Sequence, residues 1–318
     1  MIQIFLNIKF WLESITESQP REHRGLLSKL ILNGGKIIVK YLVFFYLKCK
    51  HWLGFTTVSP LKSSGEGRPI VSLTSFPKRF NNLWMVLYCL YQQTILPEKI
   101  VVTLINSEVP GGFESLPKSL KYYANRGVEF VFVDENLKPH NKYFYTRQKY
   151  PSDIVITVDD DLLYMKDTIE RLMEMHKKYP TCICANRGSE ISIKDNVIDY
   201  YHNWRYVLCR SEPSNNIVAL GFAGVLYPPS FNYKDLYDID KIKKTSLSAD
   251  DLWLKAMEIL SDTKVVVGDY YAVPTTIPSS QQISLKKINR GIDNCNDKCM
   301  LLLQKEYDIL SKIKSTSR

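Results

Sequence analysis

The sequence predicts an α/β domain built on a mainly parallel sheet, Rossmann-like, with helices on both faces. Three observations predict it. From residue 70 onward short apolar runs alternate with amphipathic segments, the pattern of βαβ units. The apolar runs are near-continuous, as expected of strands covered on both faces. The chain has 318 residues, 45% hydrophobic and 24% charged, enough for a sizeable core and unlike a disordered segment.

The elements follow in order. Residues 1–60 read as two or three helices, a basic N-terminal extension. They carry eight Lys/Arg against three Glu, so +5 of the chain's net +9 sits there. "KIIVKYLVFFYLKCKHWLGF" has no charge-free apolar run longer than Tyr41–Leu47, well short of the roughly 18 residues a membrane span needs. Its aromatics interleaved with Lys suit a helix lying on an anionic membrane face, and equally a core-packing helix with a solvated Lys face. "MIQIFLNIKFWLE" lacks the basic start of a secretory signal, so a cytoplasmic protein is expected, either free or peripheral on the inner membrane face. Residues 61–68, within "SPLKSSGEGRP", read as a linker.

Residues 69–290 read as the main domain. "IVSLTSF" is its first strand, and "RFNNLWMVLYCLYQQ" a helix with Leu83, Val86, Leu87 and Leu90 at helical spacing. "KIVVTLI" and "VEFVFVD" are strands with a short helix between them. "NKYFYTRQKY" is a helix, "DIVITV" a strand and "KDTIERLMEMHKKY" an amphipathic helix. "TCICA" and "VALGFAGVLY" are further strands. "DDLWLKAMEIL" is a helix with a buried stripe of Leu252, Ala256, Ile259 and Leu260, and "KVVVG" a short strand. Residues 291–318 read as a last helix. None of the seven cysteines forms a CxxC pair, so zinc has no support, and core thiols are expected. The basic surplus lies in an aromatic, apolar segment without a reading motif, so nucleic acid is not an expected partner.

The chemistry is concentrated in two acidic clusters. Asp159, Asp160 and Asp161 fall where "DIVITV" ends, and ligands of open α/β sheets bind outside the carboxyl ends of strands. Adjacent carboxylates withdrawn from water raise one another's pKa, and a divalent cation relieves that penalty. Mg²⁺-type sites use one or two carboxylates together with substrate phosphates. Strand alternation turns Asp159 and Asp161 one way and Asp160 aside. The plainer reading is a solvated acidic turn capping the next helix. Asp250 and Asp251 open a helix, where one Asp suffices as N-cap and a second is left for other work. Lys78 and Arg79, in the first βα loop, are either phosphate contacts or solvated charges. Trp204 offers a flat face to a sugar ring or fills a core. Gly221 and Gly224 interrupt an apolar run, as glycine does where a ligand or another backbone comes close.

"RPIVSLTSFPKR", "QQTILPEKIVV" and "DIVITVDDDLLY" together resemble a family-2-like bacterial glycosyltransferase of GT-A fold, over about Arg68–Gly268. The resemblance implies an inverting, metal-dependent transfer of one sugar from a nucleotide diphosphate sugar, with Mn²⁺ or Mg²⁺ as cofactor and UDP as the default nucleotide. It makes Asp161 and Asp159 the metal ligands. Thr74, Ser75, Phe76, Arg79, Lys142, Asp159 and Asp160 then hold the nucleotide. Asp251, with Asp250 beside it, is the general base. The segment around Gly224, with Trp204, borders the acceptor, a glycan or lipid-linked hydroxyl of surface polysaccharide synthesis. None of the five histidines follows residue 202, which fits an inverting rather than a retaining enzyme. The alternative is a non-catalytic nucleotide-sugar or glycan binding module on the same fold.

Overall fold

The structure is a computed structural model that describes residues 4–9, 11, 26–62, 67–269, 273–278 and 295–316. Half of the expected linker, residues 63–66, and the stretch 279–294 lie outside the described residues.

Helix α1 (Leu26–Trp52) precedes the sheet. Strand β1 (Ile70–Thr74) leads through a 3₁₀ turn, Pro77–Arg79, into α2 (Phe80–Leu90), with Pro at the turn's start, where its missing N–H costs nothing. Then come β2 (Lys99–Ile105), α3 (Lys118–Ala124), β3 (Val128–Val133), α4 (Asn141–Lys149), β4 (Val155–Thr157), β5 (Leu162–Leu163), α5 (Thr168–Lys178) and β6 (Ile183–Ala185). An excursion follows, containing β7 (Gly188–Glu190), a β8 (Ile193–Lys194) and β9 (Val197–Ile198) hairpin, β10 (Arg205–Val207) and β11 (Ile217–Ala219). The chain returns as β12 (Val225–Tyr227), α6 (Ile239–Thr245), α7 (Asp250–Leu260), β13 (Val265–Val267) and β14 (Thr275–Thr276). It ends in α8 (Cys295–Tyr307) and α9 (Ile309–Thr316).

The central sheet has seven strands in the order β13-β6-β12-β4-β1-β2-β3. All are parallel except β12, which runs antiparallel between β4 and β6. This is the mainly parallel, helix-flanked sheet that the apolar runs predict. From β1 the chain builds outward through β2 and β3, then crosses back to lay β4 on the other side of β1. The strand order therefore reverses between β1 and β4, and their carboxyl ends open a crevice there.

The apolar spacing reads directly into burial. Leu83, Val86, Leu87 and Leu90 of α2 are all buried in the main core, as are Val71 and Leu73 of β1 and Ile156 of β4. Val39, Val43 and Leu47 of α1 belong to the same core. Helix α1 is held further by His51 stacked 4.1 Å from Trp84 and by Lys50 Nζ donating to Tyr88 Oη at 2.5 Å. Its inner face is thus core-packed.

Three expectations change. "VALGFAGVLY" is not continuous strand. It divides into β11 and β12, which belong to different sheets, because a 3₁₀ turn at Gly221–Ala223 and a positive φ of 94° at Gly224 turn the chain between them. Of the expected α7 stripe Leu252, Ala256 and Ile259 are buried and Leu260 is half-buried, and Trp253, Leu254 and Met257 are enclosed as well. Helices α8 and α9 cover its outer side, so Lys255 and Glu258 are enclosed as well and pair at 2.8 Å. The single C-terminal helix is two, broken at Asp308, where φ is 47°.

We expect Leu47→Ala to lower the unfolding free energy by about 2–5 kcal/mol, the usual cost of emptying a fully buried leucine site. The urea midpoint of the full chain measures it. A change within about 0.5 kcal/mol would mean that α1 is not part of the cooperative core.

Candidate functional site

The crevice at the β1/β4 reversal collects the charged residues from four places in the chain. The loop after β1 supplies Ser75, Phe76 and Arg79. The turn after β4 supplies Asp159, Asp160 and Asp161. Helix α4 supplies Lys142, and the first turn of α7 supplies Asp250 and Asp251. The two acidic clusters, about ninety residues apart in sequence, meet around one ammonium. Lys142 Nζ lies 3.2 Å from Asp159 Oδ1 and 2.9 Å from Asp250 Oδ2. The Asp250 contact is an ion pair whose angles fall outside those of a hydrogen bond. Gly221 N–H donates to Asp251 Oδ1 at 3.2 Å, closing the group from above.

Both plainer readings of the carboxylates are set aside by this geometry. The N-cap of α7 is Ala249 and no side chain caps that helix, so neither Asp250 nor Asp251 is spent on capping. Asp160 and Asp161 are buried, 5% and 7% exposed, rather than solvated. The turn is pinned instead. Asp159 N–H donates to Tyr164 Oη at 2.7 Å, and that hydroxyl donates to Phe222 O at 3.0 Å. Ile277 N–H donates to Asp161 O at 2.9 Å, and β14 pairs with β5 immediately beyond it.

The three carboxylates do not divide by strand alternation. Arg79 binds Asp160 directly and lies 3.1 Å from Asp161 Oδ2, so Asp160 shares a cation with Asp161 rather than turning aside. Asp159 turns to Lys142. The cause is that β4 ends at Thr157, before the cluster, so the pleat no longer sets side-chain direction. Ser75 Oγ also donates to Asp160 Oδ2, at 2.6 Å.

Five carboxylates face two cations, and their ionisation responds. Burial, then the charges of Asp159 and Asp160, push the Asp161 carboxyl up to about 7 against the pull of Arg79. Burial also raises Asp160, opposed by Arg79 and Ser75. Burial and the Asp250 charge hold Asp251 above the ordinary carboxylate range, despite Lys142 and the Gly221 N–H. Asp251 keeps an open edge to solvent while lying deep among protein atoms. Burial alone would lower the Lys142 ammonium, but Asp159, Asp250 and Asp251 reverse that and hold it well above its usual value.

Lys142 is positioned from below. Ser72 Oγ and Thr146 Oγ1, 2.6 Å apart, tie α4 to β1. His140 is buried and, with its pKa lowered chiefly by desolvation, neutral. Its Nε2 lies 2.8 Å from Ser246 O, so Nε2 carries the proton and donates it, and Nδ1 accepts from Tyr143 Oη at 3.1 Å. This fixes the start of α4 against the approach to α7.

Other sequence-predicted residues fall differently. Thr74 Oγ1 donates to Thr103 O at 2.9 Å at the sheet's edge of the crevice, and the Phe76 ring lies under the Arg79 guanidinium, 5.0 Å away. Lys78 is exposed. Trp204 is not brought to the site: it packs in a second core, 4.9 Å from the Tyr201 ring, and donates its indole N–H to Asp199 O. Gly224 turns the chain against Thr168, Asn186 and Leu172 rather than against the carboxylates. The glycine that meets them is Gly221, where a Cβ would stand 2.8 Å from both Asp251 Oδ1 and Lys142 Nζ. Tyr164 and Gly221 are the contributors that the sequence reading missed. Gly221 could have been preferred to Gly224 only by knowing which glycine faces α7.

The donor set suits a hard divalent cation. It consists of carboxylate oxygens in excess over cations, with Asp161 protonating near neutrality unless positive charge arrives. Asp159 and Asp161 are the residues expected to hold such a cation, and here Asp159 faces Lys142 while Asp161 faces Arg79, so both would have to turn from those partners to share it. Among the described residues no three His, Cys, Asp or Glu side chains already converge as a full ligand set.

No protein-family model matches the chain, and no curated protein matches it. Among solved structures it is similar to the S. aureus TarS fragment 1–349 in complex with UDP, at 11% identity and a TM-score of 0.43, covering 65% of this chain and 59% of that one. The chain thus spans less than two thirds of the TarS fragment. It is also similar to the inositol-1-phosphate CTP transferase of T. maritima, at 12% identity and a TM-score of 0.43, covering 78% and 97% of the two chains. A third similar structure is the mannosyltransferase PcManGT from Pyrobaculum calidifontis in complex with GDP-Man and Mn²⁺, at 13% identity and a TM-score of 0.38, covering 85% and 67%.

A carboxyl with a raised folded pKa carries a proton that the unfolded chain, titrating near 4, has already released. Stability from Asp251 and Asp161 therefore falls as pH rises from about 4 through their folded values. We expect the thermal midpoint of the ligand-free protein to decline between about pH 7 and 8, above the range of the buried histidines. Asp251→Asn, which keeps an acceptor for Gly221 N–H, should flatten the decline. Equal slopes in calorimetric scans of the two proteins would show that Asp251 titrates normally.

Proposed function

We propose that the chain is a metal-dependent glycosyltransferase that moves one sugar from a nucleotide diphosphate sugar to an acceptor hydroxyl with inversion. One observation carries the reading: a single buried crevice joins a strand-end carboxylate cluster to a second carboxylate pair through one ammonium. On this reading the strand-end cluster would be the donor end and the α7 pair the base end, on either side of Lys142. Residues 69–290 would be the transferase domain, and 1–60 and 291–318 its helical extensions.

Asp161 and Asp159 would hold Mn²⁺ or Mg²⁺, which when bound offsets the charge of the donor diphosphate and of the departing nucleoside diphosphate. Thr74, Ser75 and Phe76 line the edge where a base would lie, and UDP is the default nucleotide. Arg79 and Asp160 position Asp161 by holding its turn. Asp251 is the base. It takes the acceptor's hydroxyl proton as that oxygen bonds to the anomeric carbon, while the bond from that carbon to the phosphate oxygen breaks and its electron pair leaves with the diphosphate. Asp250, paired to Lys142, keeps the ammonium beside Asp251 and the donor, where it also meets charge developing on the leaving group. Burial raises the pKa of Asp251, so its ionised form, which alone can act as base, becomes more populated as pH rises through that value, and transfer is expected to rise with it. The acceptor is a hydroxyl of a glycan or a lipid-linked saccharide.

Calorimetric titration of UDP, with and without Mn²⁺, tests the donor half. Metal-dependent binding is expected in the wild type and should be absent in Asp161→Ala. No binding of UDP, GDP or dTDP by the wild type overturns the reading. For the base half, Asp251→Asn should bind UDP like the wild type yet lose roughly 10²–10⁴-fold in the rate of nucleoside diphosphate release from the donor sugar in the presence of acceptor. Full activity in that variant removes Asp251 from the chemistry. Gly221→Ala should fold normally by circular dichroism and lose transfer at least tenfold, because its methyl displaces both Lys142 Nζ and Asp251 Oδ1.

A further inference from the structure

Exposed apolar surface is not spread evenly over this molecule. Of the twenty large hydrophobic side chains exposed among the described residues, eleven lie between Ile4 and Phe55. On α1 they form a face. Ile38, Tyr41, Leu42, Phe45 and Trp52 recur at helical spacing, with Trp52 85% exposed, and they lie opposite the inward stripe of Val39, Val43 and Leu47. Trp11, 61% exposed, and Phe55, 66% exposed, are further exposed aromatics outside the helix. A monomer rarely leaves so much contiguous apolar surface unless something covers it.

Charge indicates what covers it. Residues 23–65 contain no Asp or Glu, while α1 carries five Lys, of which Lys40 and Lys50 reach inward to Asp161 and Tyr88 and Lys48 flanks the face beside Phe44. Two copies meeting through this face would bring together two net-basic segments that contain no acid of their own. A surface of anionic headgroups offsets them directly, and tryptophan, tyrosine and phenylalanine beside lysine suit the headgroup boundary. Among the described residues no helix is long and apolar enough to cross a membrane.

The patch is mechanically tied to the carboxylate crevice. The inner stripe fixes the rotation of α1 on the core. Lys40 is close enough to Asp161 to feel its charge. Lys9 of the helical residues 4–9 donates to Val273 O, and four residues on, Ile277 N–H holds the Asp161 carbonyl. Phe5 packs 6.2 Å from Tyr46 of α1.

We propose that the outer face of α1, with Trp11 and Phe55, docks on an anionic lipid bilayer and sets the carboxylate crevice at the bilayer surface. On the transferase reading above, the acceptor is then a hydroxyl presented at the headgroup level by a lipid-linked molecule.

Sedimentation of the full chain with extruded vesicles tests this. The vesicles are phosphatidylcholine alone or phosphatidylcholine with phosphatidylglycerol. The wild type should pellet with the anionic vesicles, and high salt should release a large share of it. Ile38→Glu combined with Phe45→Glu should reduce pelleting at least tenfold. The milder Phe45→Ser should weaken it while leaving the thermal midpoint unchanged, which separates lost docking from lost folding. The proposal is overturned if the wild type stays in the supernatant, if it pellets equally with neutral vesicles, or if the double variant pellets like the wild type. A dimer in light scattering that the glutamates dissociate, without vesicle binding, would instead give the face to a second copy. UDP titration is a separate readout: unchanged nucleotide binding with lost sedimentation in the double variant supports docking, and a wild type that sediments with anionic vesicles but binds no nucleotide overturns the transferase reading alone.

Discussion

The site depends on one buried ammonium. Lys142 is 6% exposed, yet it stays charged because Asp159 and Asp250 flank it and Asp251 stands close. A lysine enclosed this far would lose its proton if its surroundings were apolar. The same three carboxylates would be costly to bury without it, since removing one partner of a buried ion pair costs about 3–5 kcal/mol. Each side of the network therefore makes the other admissible. The arrangement also brings Asp159, at the end of β4, to Asp250, at the start of α7, across ninety residues of chain. No apolar contact would specify that juxtaposition as narrowly.

The sheet supplies the place for this network, and a few polar contacts set its depth. Reversal of strand order at β1/β4 opens the crevice. The antiparallel β12 then returns the chain along β4, so the Gly221–Ala223 turn that precedes it overhangs the strand-end carboxylates. Tyr164 ties that overhang to Asp159, through one hydroxyl that both accepts and donates. Gly221 permits it, because any side chain there would occupy the space of Lys142 and Asp251. Arg79 plays a different part from Lys142. It satisfies Asp160 and Asp161 together, while burial still holds the Asp161 pKa up.

What was legible in the sequence was what depends on period and position. Continuous apolar runs gave the strands β1 to β4, β6 and β13, and helical spacing gave α2, α5 and α7. The carboxylates stood out because charge follows a buried strand for no reason of stability. What was not legible depends on partners brought from afar. Asp160 was expected to turn aside by strand alternation, but the strand had already ended, and Arg79 decides its direction. The stripe on α7 understated its burial because α8 and α9, which cover it, are nearly forty residues downstream. Trp204 was ambiguous because its surroundings come from an excursion of short strands with little periodicity of their own. Gly221 and Gly224 look equivalent in the chain and differ only in which element each faces.

The same distinction applies to α1. Its sequence fitted both a core helix and a surface helix, and the structure makes it both at once. Val39, Val43 and Leu47 join the main core, while Ile38, Tyr41, Leu42 and Phe45 face outward. A helix apolar on two opposite sides has too little polar surface to sit at an ordinary protein–water boundary. Its lysines, rather than a polar face, provide its solubility, and Lys40 and Lys50 lie toward the protein body, one beside Asp161 and the other on Tyr88. The outward face is consequently almost free of charge along its centre. A helix patterned in this way is stable on the core through one side and leaves the other to be desolvated, so the orientation of the crevice toward whatever covers that side is fixed by packing before any ligand arrives.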